Sequence, residues 1–316
     1  MYTQKTIKKP VSCSGIGVHS GSHVQMTFKP AGVDTGIVFK RTDLADHPII
    51  KVAYQNIVDM TYATTLGKEG VTIQTVEHVL SAVNALGIKN LIIEVSGSEV
   101  PVIDGSASCF VNMLLDAGIE TQCGSVRVIH IKQELEVRGK ESIISVEPYD
   151  GFKITYTIDF PNPFIGVQTK TYEISPWVYI NEIAHARTFC LYEEVEHLWK
   201  MGLSKGGSLD NAVVFAQDRI LNGSLRYKDE PVRHKMLDLL GDIIFLGHPL
   251  LGHIKAYKAG HALHAKFVKA VLSQPERWTY LTDQDIAVWT SDMENDHSDL
   301  FHVDETGAYQ RPRVFA

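Results

Sequence analysis

VQMTFKPAGVDTGIVFKR at residues 24–41 and SIISVEPYDGFKITYT at 142–157 share one pattern far apart in the chain. Each alternates apolar and polar residues, turns near a proline and alternates again. This is the period-2 signature of a half-buried strand, a tight turn and a partner strand, so each stretch is expected to form a hairpin. The likeness continues downstream. QTVEHVLSAVNALGIKNLIIEVS at 74–96 reads as a helix closed at Leu86-Gly87 and then a strand, and SCFVNMLLDAG at 108–118 as a second helix. The later half answers with a helix through His234 ending near Leu246-Gly247, a strand GHIKAY at 252–257 and a helix HALHAKFVKAVLSQ at 261–274. Strands, helix, strand, helix, occurring twice, predict an α+β protein of two similar domains, 1–125 and 126–281. Each is expected to be a sheet layered with helices, the helices packed between the two sheets. The segment 282–316 is acidic and aperiodic and is expected to be a solvated tail.

The composition narrows the function classes. A formal net charge of −7 argues against broad nucleic-acid binding, which requires a basic surface to neutralise phosphates. The N-terminal MYTQKTIKKPVSC has no apolar core of a signal peptide, and no later stretch has the length of a membrane span. The cysteines at 13, 109, 123 and 190 form no CxxC pair, so neither a disulfide framework nor a cysteine zinc site is expected. A cytoplasmic protein fits best, acting as a monomer, with room for transient contact with a membrane surface.

Within PVRHKMLDLLGD at 231–242, His234, Asp238 and Asp242 recur every fourth residue and fall on one helical stripe, beside an apolar face of Leu237, Leu240 and Ile244. His234 and Asp238 have the spacing at which two side chains reach one point. Alone, the pair reads more readily as a helix-surface hydrogen bond than as a ligand pair for Zn²⁺ or Fe²⁺. The counterpart helix changes the balance. It carries His78 over Ser81, Ala82 and Ala85, small groups that permit close approach. If the two helices face each other, His78, His234 and Asp238 supply two imidazoles and a carboxylate with a position left open, the pattern of a catalytic zinc. Glu77 beside His78 could take the proton of an attacking water, although an acidic residue in a first helical turn also complements the helix dipole.

Six ordered motifs, SGIGVHSG (14–21), TVEHVLSAV (75–83), VPVIDGSA (100–107), ARTFC (186–190), HKMLDLLGD (234–242) and AYKAGHALH (256–264), resemble the zinc-dependent UDP-3-O-acyl-N-acetylglucosamine deacetylases of the lipid A pathway over about residues 1–280. The resemblance implies a two-domain α+β sandwich with zinc between the domains. It implies hydrolysis of the N-acetyl group of an acylated UDP-sugar to give UDP-3-O-acyl-glucosamine and acetate, the committed step of lipid A biosynthesis. Residue by residue, it implies zinc on His78, His234 and Asp238, the chemistry of which also admits Fe²⁺. Glu77 is then the general base, and His261 a protonated imidazole that stabilises the oxyanion and helps protonate the leaving amine. Asp242 orients His261, Thr188 joins in holding the oxyanion, and Phe189 packs against the sugar. In AYKAGHALH, His264 stands where the family more often has Asn.

Lys235, Arg187 and Lys258 flank these motifs, and three cations there suit an anionic ligand such as the UDP diphosphate. DFPNPFIGVQTK at 159–170 places Phe160, Phe164, Ile165 and Val167 in a loop or short insert, which the resemblance makes the passage for the acyl chain. A loop tucked back into its own domain explains them nearly as well. Two other classes stay open: a metal-dependent hydrolase of another amide, for which HExxH is absent, and a catalytically silent nucleotide-sugar or acyl binding protein, which could have lost Glu77 or His261.

Overall fold

The computed structural model describes residues 3–281; the tail expected at 282–316 lies outside the described residues. The first unit is built from β1 (Val11–Ile16), β2 (His23–Pro30), β3 (Ile37–Arg41), β4 (Ile49–Lys51), α1 (Glu77–Ala85), β5 (Leu91–Val95) and α2 (Ser108–Asp116). The second repeats it with β6 (Leu135–Arg138), β7 (Ile143–Glu147), β8 (Phe152–Asp159), β9 (Val167–Glu173), α3 (Glu230–Asp242), β10 (Leu250–Tyr257) and α4 (His261–Ser273).

Both sheets contain the same order of five strands, β1-β2-β5-β3-β4 and β6-β7-β10-β8-β9, and the repeat is therefore one of topology; the second sheet adds Val128–Ile131 beside β10 and Trp278–Leu281 beside that strand. The expected hairpins do not form. β5 lies between β2 and β3, antiparallel to the first (Phe28↔Ile93) and parallel to the second (Phe39↔Ile93). β10 occupies the same slot, antiparallel to β7 (Ile144↔Ala256) and parallel to β8 (Tyr156↔Ala256). Alternation fixes which face of a strand is buried but not which strand lies beside it. The connections at 31–36 and 148–151 cross a gap of two strand spacings, roughly 9–10 Å, and the strand that follows each helix fills it. Leu91, Ile93 and Val95 in that central position are all fully buried.

The inward residues of β2, Val24, Met26 and Phe28, pack into the core, where Phe28 meets Phe110 of α2 edge to face at 6.4 Å. α1 packs on α2 and α3, and α3 on α4, β8 and β9, so the helices form a layer between the sheets. Two apolar helix faces on separate sheets have only each other to bury against, and this brings α1 against α3. Among the described residues no helix is long and apolar enough to cross a membrane.

Candidate metal centre and active site

His78 opens α1 and His234 and Asp238 lie on α3, all three buried. His234 Nε2 is 3.3 Å and His78 Nε2 3.8 Å from Asp238 Oδ1, and the two imidazole rings meet edge to face at 4.9 Å. His234 Nδ1 lies 3.0 Å from the Ala186 carbonyl, and donating its hydrogen there leaves the Nε2 lone pair turned toward Asp238. Asp238 Oδ1 is buried and, among the described residues, accepts no hydrogen bond. A buried carboxylate oxygen without a donor is costly, and between two imidazole nitrogens a cation resolves that cost. These residues form a candidate metal-binding group. Burial pushes both imidazoles down, His78 to about 3, which favours the neutral form that ligates. Burial alone would raise Asp238, but His234 and Lys235 hold its carboxyl well below the usual range. Lys235 Nζ donates to its other oxygen at 2.7 Å.

Close contact of the helices depends on Gly241. A Cβ there would collide with the backbone carbonyl of Glu77. Alanine is normally favoured over glycine inside a helix by up to about 1 kcal/mol. Gly241→Ala should nevertheless lower stability, by about 1–3 kcal/mol as in other overpacked cores, and reduce bound metal by spreading α1 from α3. Denaturant unfolding together with metal analysis checks this; a variant that gains stability and keeps its metal would show the contact to be slack.

Beside the first group lies a second cluster of Glu77, Asp242, His261 and His264. Asp242 Oδ2 accepts from His261 Nδ1 at 2.7 Å and from His264 Nδ1 at 2.8 Å, while Thr64 Oγ1 donates to Oδ1 at 2.6 Å. Ligand atoms of Asp242, His261 and His264 also converge closely enough for a metal. Both Nδ1 hydrogens are already spent on the carboxylate, however, so this group reads as a hydrogen-bonded network. His261 Nε2 faces Glu77 Oε1 at 4.0 Å. Burial pushes Glu77 up to about 7, opposed by the nearby His261. Burial would lower His261, but Asp242 outweighs it and holds the imidazole up at about 9.

Glu77, His78, Thr188 and Phe189 line a cavity of about 540 Å³. Its apolar wall comes from Val195, Leu198, Leu209, Val214 and Leu221, carried by the helix Tyr192–Lys200 and the chain after it. The 159–170 loop does not line it. Phe160 packs against Phe189 at 5.5 Å, and Phe164 stands 41% exposed. Arg187 is not free for an anion either: its Nε donates to the buried Glu230 carboxylate at 2.9 Å and its Nη2 at 3.2 Å. Lys258 Nζ is 3.5 Å from Asp159, and Lys235 Nζ sits 5.7 Å over the Phe189 ring.

The remaining motifs hold these groups in place. Thr188 N–H donates to Gly105 O at 2.8 Å; Gly105 adopts φ 79°, and a Cβ there would strike the Asn211 carbonyl. VPVIDGSA thus fixes the Thr188 segment from the first unit, aided by an Asp104–Arg226 pair at 2.8 Å. In SGIGVHSG, the buried Glu99 accepts the backbone N–H groups of His19 and Ser20, both at 2.8 Å, and His19 lines the cavity. His19 and Thr64 were not singled out from residue types.

A family model described as UDP-3-O-acyl N-acetylglycosamine deacetylase matches residues 4–273. The chain is 44% identical over 290 residues to the UDP-3-O-acyl-N-acetylglucosamine deacetylase of Pasteurella multocida, covering 90% of this chain and 95% of that protein. It is 43% identical over 289 residues to the protein of the same name from Haemophilus influenzae, at 90% and 95% coverage. Against that from Syntrophus aciditrophicus it is 44% identical over 280 residues, covering 88% and 89%. Agreement of this extent along nearly the whole of both chains, over motifs that converge on one buried centre, shows that the chain belongs to the UDP-3-O-acyl N-acetylglycosamine deacetylase family.

Proposed function

We propose that the protein is a zinc-dependent hydrolase that removes the N-acetyl group from UDP-3-O-acyl-N-acetylglucosamine, releasing acetate and the free amine. The observation that carries this reading is Asp238 Oδ1, without a donor among the described residues and lying between two imidazole nitrogens, in a site whose Glu77 and His78 line an apolar cavity. His78, His234 and Asp238 would hold the metal, and two nitrogens with one oxygen suit zinc or ferrous iron. The chemistry a divalent metal supplies there is Lewis acidity, polarising a carbonyl and lowering the pKa of water.

The chain's own groups divide the proton transfers. Glu77 accepts a proton from the attacking water; its Oε2 is held by the Thr64 N–H at 3.0 Å, which leaves Oε1 as the working oxygen. His261, protonated and aimed by Asp242, stabilises the oxyanion with the Thr188 hydroxyl and then donates to the departing nitrogen. One proton of the water goes to Glu77 and the other stays on the new carboxyl; the amine takes its proton from His261, the acetic acid ionises to acetate, and passage of the Glu77 proton to His261, whose Nε2 faces Oε1 at 4.0 Å, resets both groups. The acyl chain lies in the 188–221 cavity rather than along the 159–170 loop. Phe189 packs on the sugar, Lys235 and Lys258 meet the diphosphate, and Arg187 braces the segment that carries Thr188. A boundary at 125/126 is supported by strand Thr3–Ile7 pairing with Ile119–Ser125, whereas Val128–Ile131 pairs with β10.

Incubation of zinc-loaded protein with UDP-3-O-acyl-N-acetylglucosamine should release acetate, stop on chelation and resume when zinc is restored. Absence of acetate from loaded, folded protein would favour the silent binder. Release from a simple N-acetyl amide but not from the UDP-sugar would favour a different hydrolase.

A further inference from the structure

We propose that Thr64 and His264 are positioning residues for this reaction, together aiming the Asp242 carboxylate at His261. The inference rests on the reading that Asp242 orients His261 in the deacetylation.

A carboxylate at the end of a helix turns about two single bonds, and one hydrogen bond to His261 fixes one oxygen without fixing the plane. Asp242 is the last residue of α3 and is fully buried, so water supplies no further restraint. The restraint comes from opposite sides. Thr64, on the first unit, donates its hydroxyl to Oδ1 at 2.6 Å; His264, one turn along α4 from His261, donates Nδ1–H to Oδ2 at 2.8 Å. Both side chains are buried. With these two donors in place, Oδ2 can face His261 Nδ1 in one orientation only, at 2.7 Å.

Each donor is itself held. His264 is backed by Tyr156, whose ring meets it edge to face at 6.2 Å and whose hydroxyl, 3.2 Å from His264 Nε2, donates to the Ala259 carbonyl at 2.6 Å. Thr64 has a second tie, because its backbone N–H donates to Glu77 Oε2 at 3.0 Å. One residue therefore touches the proposed base with its backbone and the proposed orienting carboxylate with its side chain. Any shift of Thr64 would move the two proton-handling arms of the site relative to each other.

The test compares isosteric loss with conservative repair. Thr64→Val keeps shape and the backbone N–H but removes the hydroxyl, whereas Thr64→Ser keeps it. His264→Leu removes the donor, whereas His264→Asn offers an N–H at the same covalent distance from the backbone. Thr64→Val and His264→Leu should each lower kcat by about 10–100-fold, the usual size for removing a partner that orients a working side chain, with KM and metal content unchanged. Thr64→Ser and His264→Asn should recover most of the rate. In an Asp242→Asn background, Thr64→Val should cost less than about twofold more, since its route of action is already gone. If Thr64→Val does not fold, the two His264 variants make the same comparison. Near-normal kcat in the valine or leucine variant, or losses fully multiplicative with Asp242→Asn, would overturn the proposal while leaving Asp242 itself in place. An Asp242→Asn enzyme with unchanged kcat would instead remove the reading on which it rests.

Discussion

Glu77→Ala should keep its metal and bind substrate with little change in affinity while kcat falls by about 10²–10⁴, the usual worth of a positioned general base. The expected split follows from where Glu77 sits. Its carboxylate is not one of the three candidate metal ligands, His78, His234 and Asp238, so alanine leaves that group intact. Substrate affinity should come mainly from the apolar cavity wall and the lysines, none of which the substitution touches. The proton destination is lost. Burial has pushed Glu77 up to about 7, so near neutral pH it is both substantially ionised and basic enough to take a proton, which is where a general base works best. Glu77→Gln is the stricter variant, because it keeps the size and still accepts the Thr64 N–H. Both should be slow. Near-normal turnover in the glutamine variant, measured as acetate release under saturating substrate, would rule Glu77 out as the base.

The sequence carried the organisation further than it carried the pairing. Repetition of strand and helix order predicted two like units, and both sheets do contain one order of five strands. The expected hairpins failed because alternation is a local property, whereas the strand that separates β2 from β3 arrives only after α1. The convergence of the candidate metal ligands was legible for the opposite reason. His234 and Asp238 need only helical spacing to converge, and His78 needs only that its helix face theirs. The roles given to His261 and Asp242 came from resemblance, since a contact between the end of one helix and the start of the next has no periodic signal. Thr64 was invisible in a run of TYATT: half of what it does is done by a backbone N–H, which every residue but proline has. The cavity wall was missed because the charges of YEEVEHLWK suggest a surface helix, although Tyr192, Val195, Leu198 and Trp199 all line the cavity. Arg187 looked like a free cation because Glu230, which binds it, is forty-three residues away.

Asp242→Asn should lower kcat/KM near pH 8 by roughly 10²–10⁴ and pull the basic limb of the pH profile toward acid. His261 has to be protonated to work. Burial favours its neutral form, and it is held at about 9 because Asp242, in contact at 2.7 Å, outweighs burial, with smaller help from Asp238 and Glu77. The sign is therefore fixed: activity that needs the cation persists until pH rises through that value. Asparagine removes the charge and leaves the burial, so the limb should fall to or below the ordinary histidine value of about 6.5. At pH 8 that change alone cuts the protonated fraction about 30-fold. The rest of the loss comes from aim. An asparagine offers only one acceptor oxygen to the Thr64 hydroxyl and two imidazole N–H groups, so His261 loses its fixed tautomer and orientation. Because the lowered basic limb lies below the value of about 7 for Glu77, the two limbs should close into a low, narrow bell near neutral pH, with the acidic side changing little. Glu77 is raised by the Asp242 charge and lowered by the His261 cation, and the substitution weakens both, so the two changes oppose each other. The limbs are macroscopic values of a coupled pair, and a small drift of the acidic one is expected. Profiles should be recorded well below the melting temperature of the variant, because the amide also leaves a buried donor set short of acceptors. A profile in which the acidic limb shifts and the basic limb stays near 9 would show that Asp242 acts on Glu77 rather than on His261.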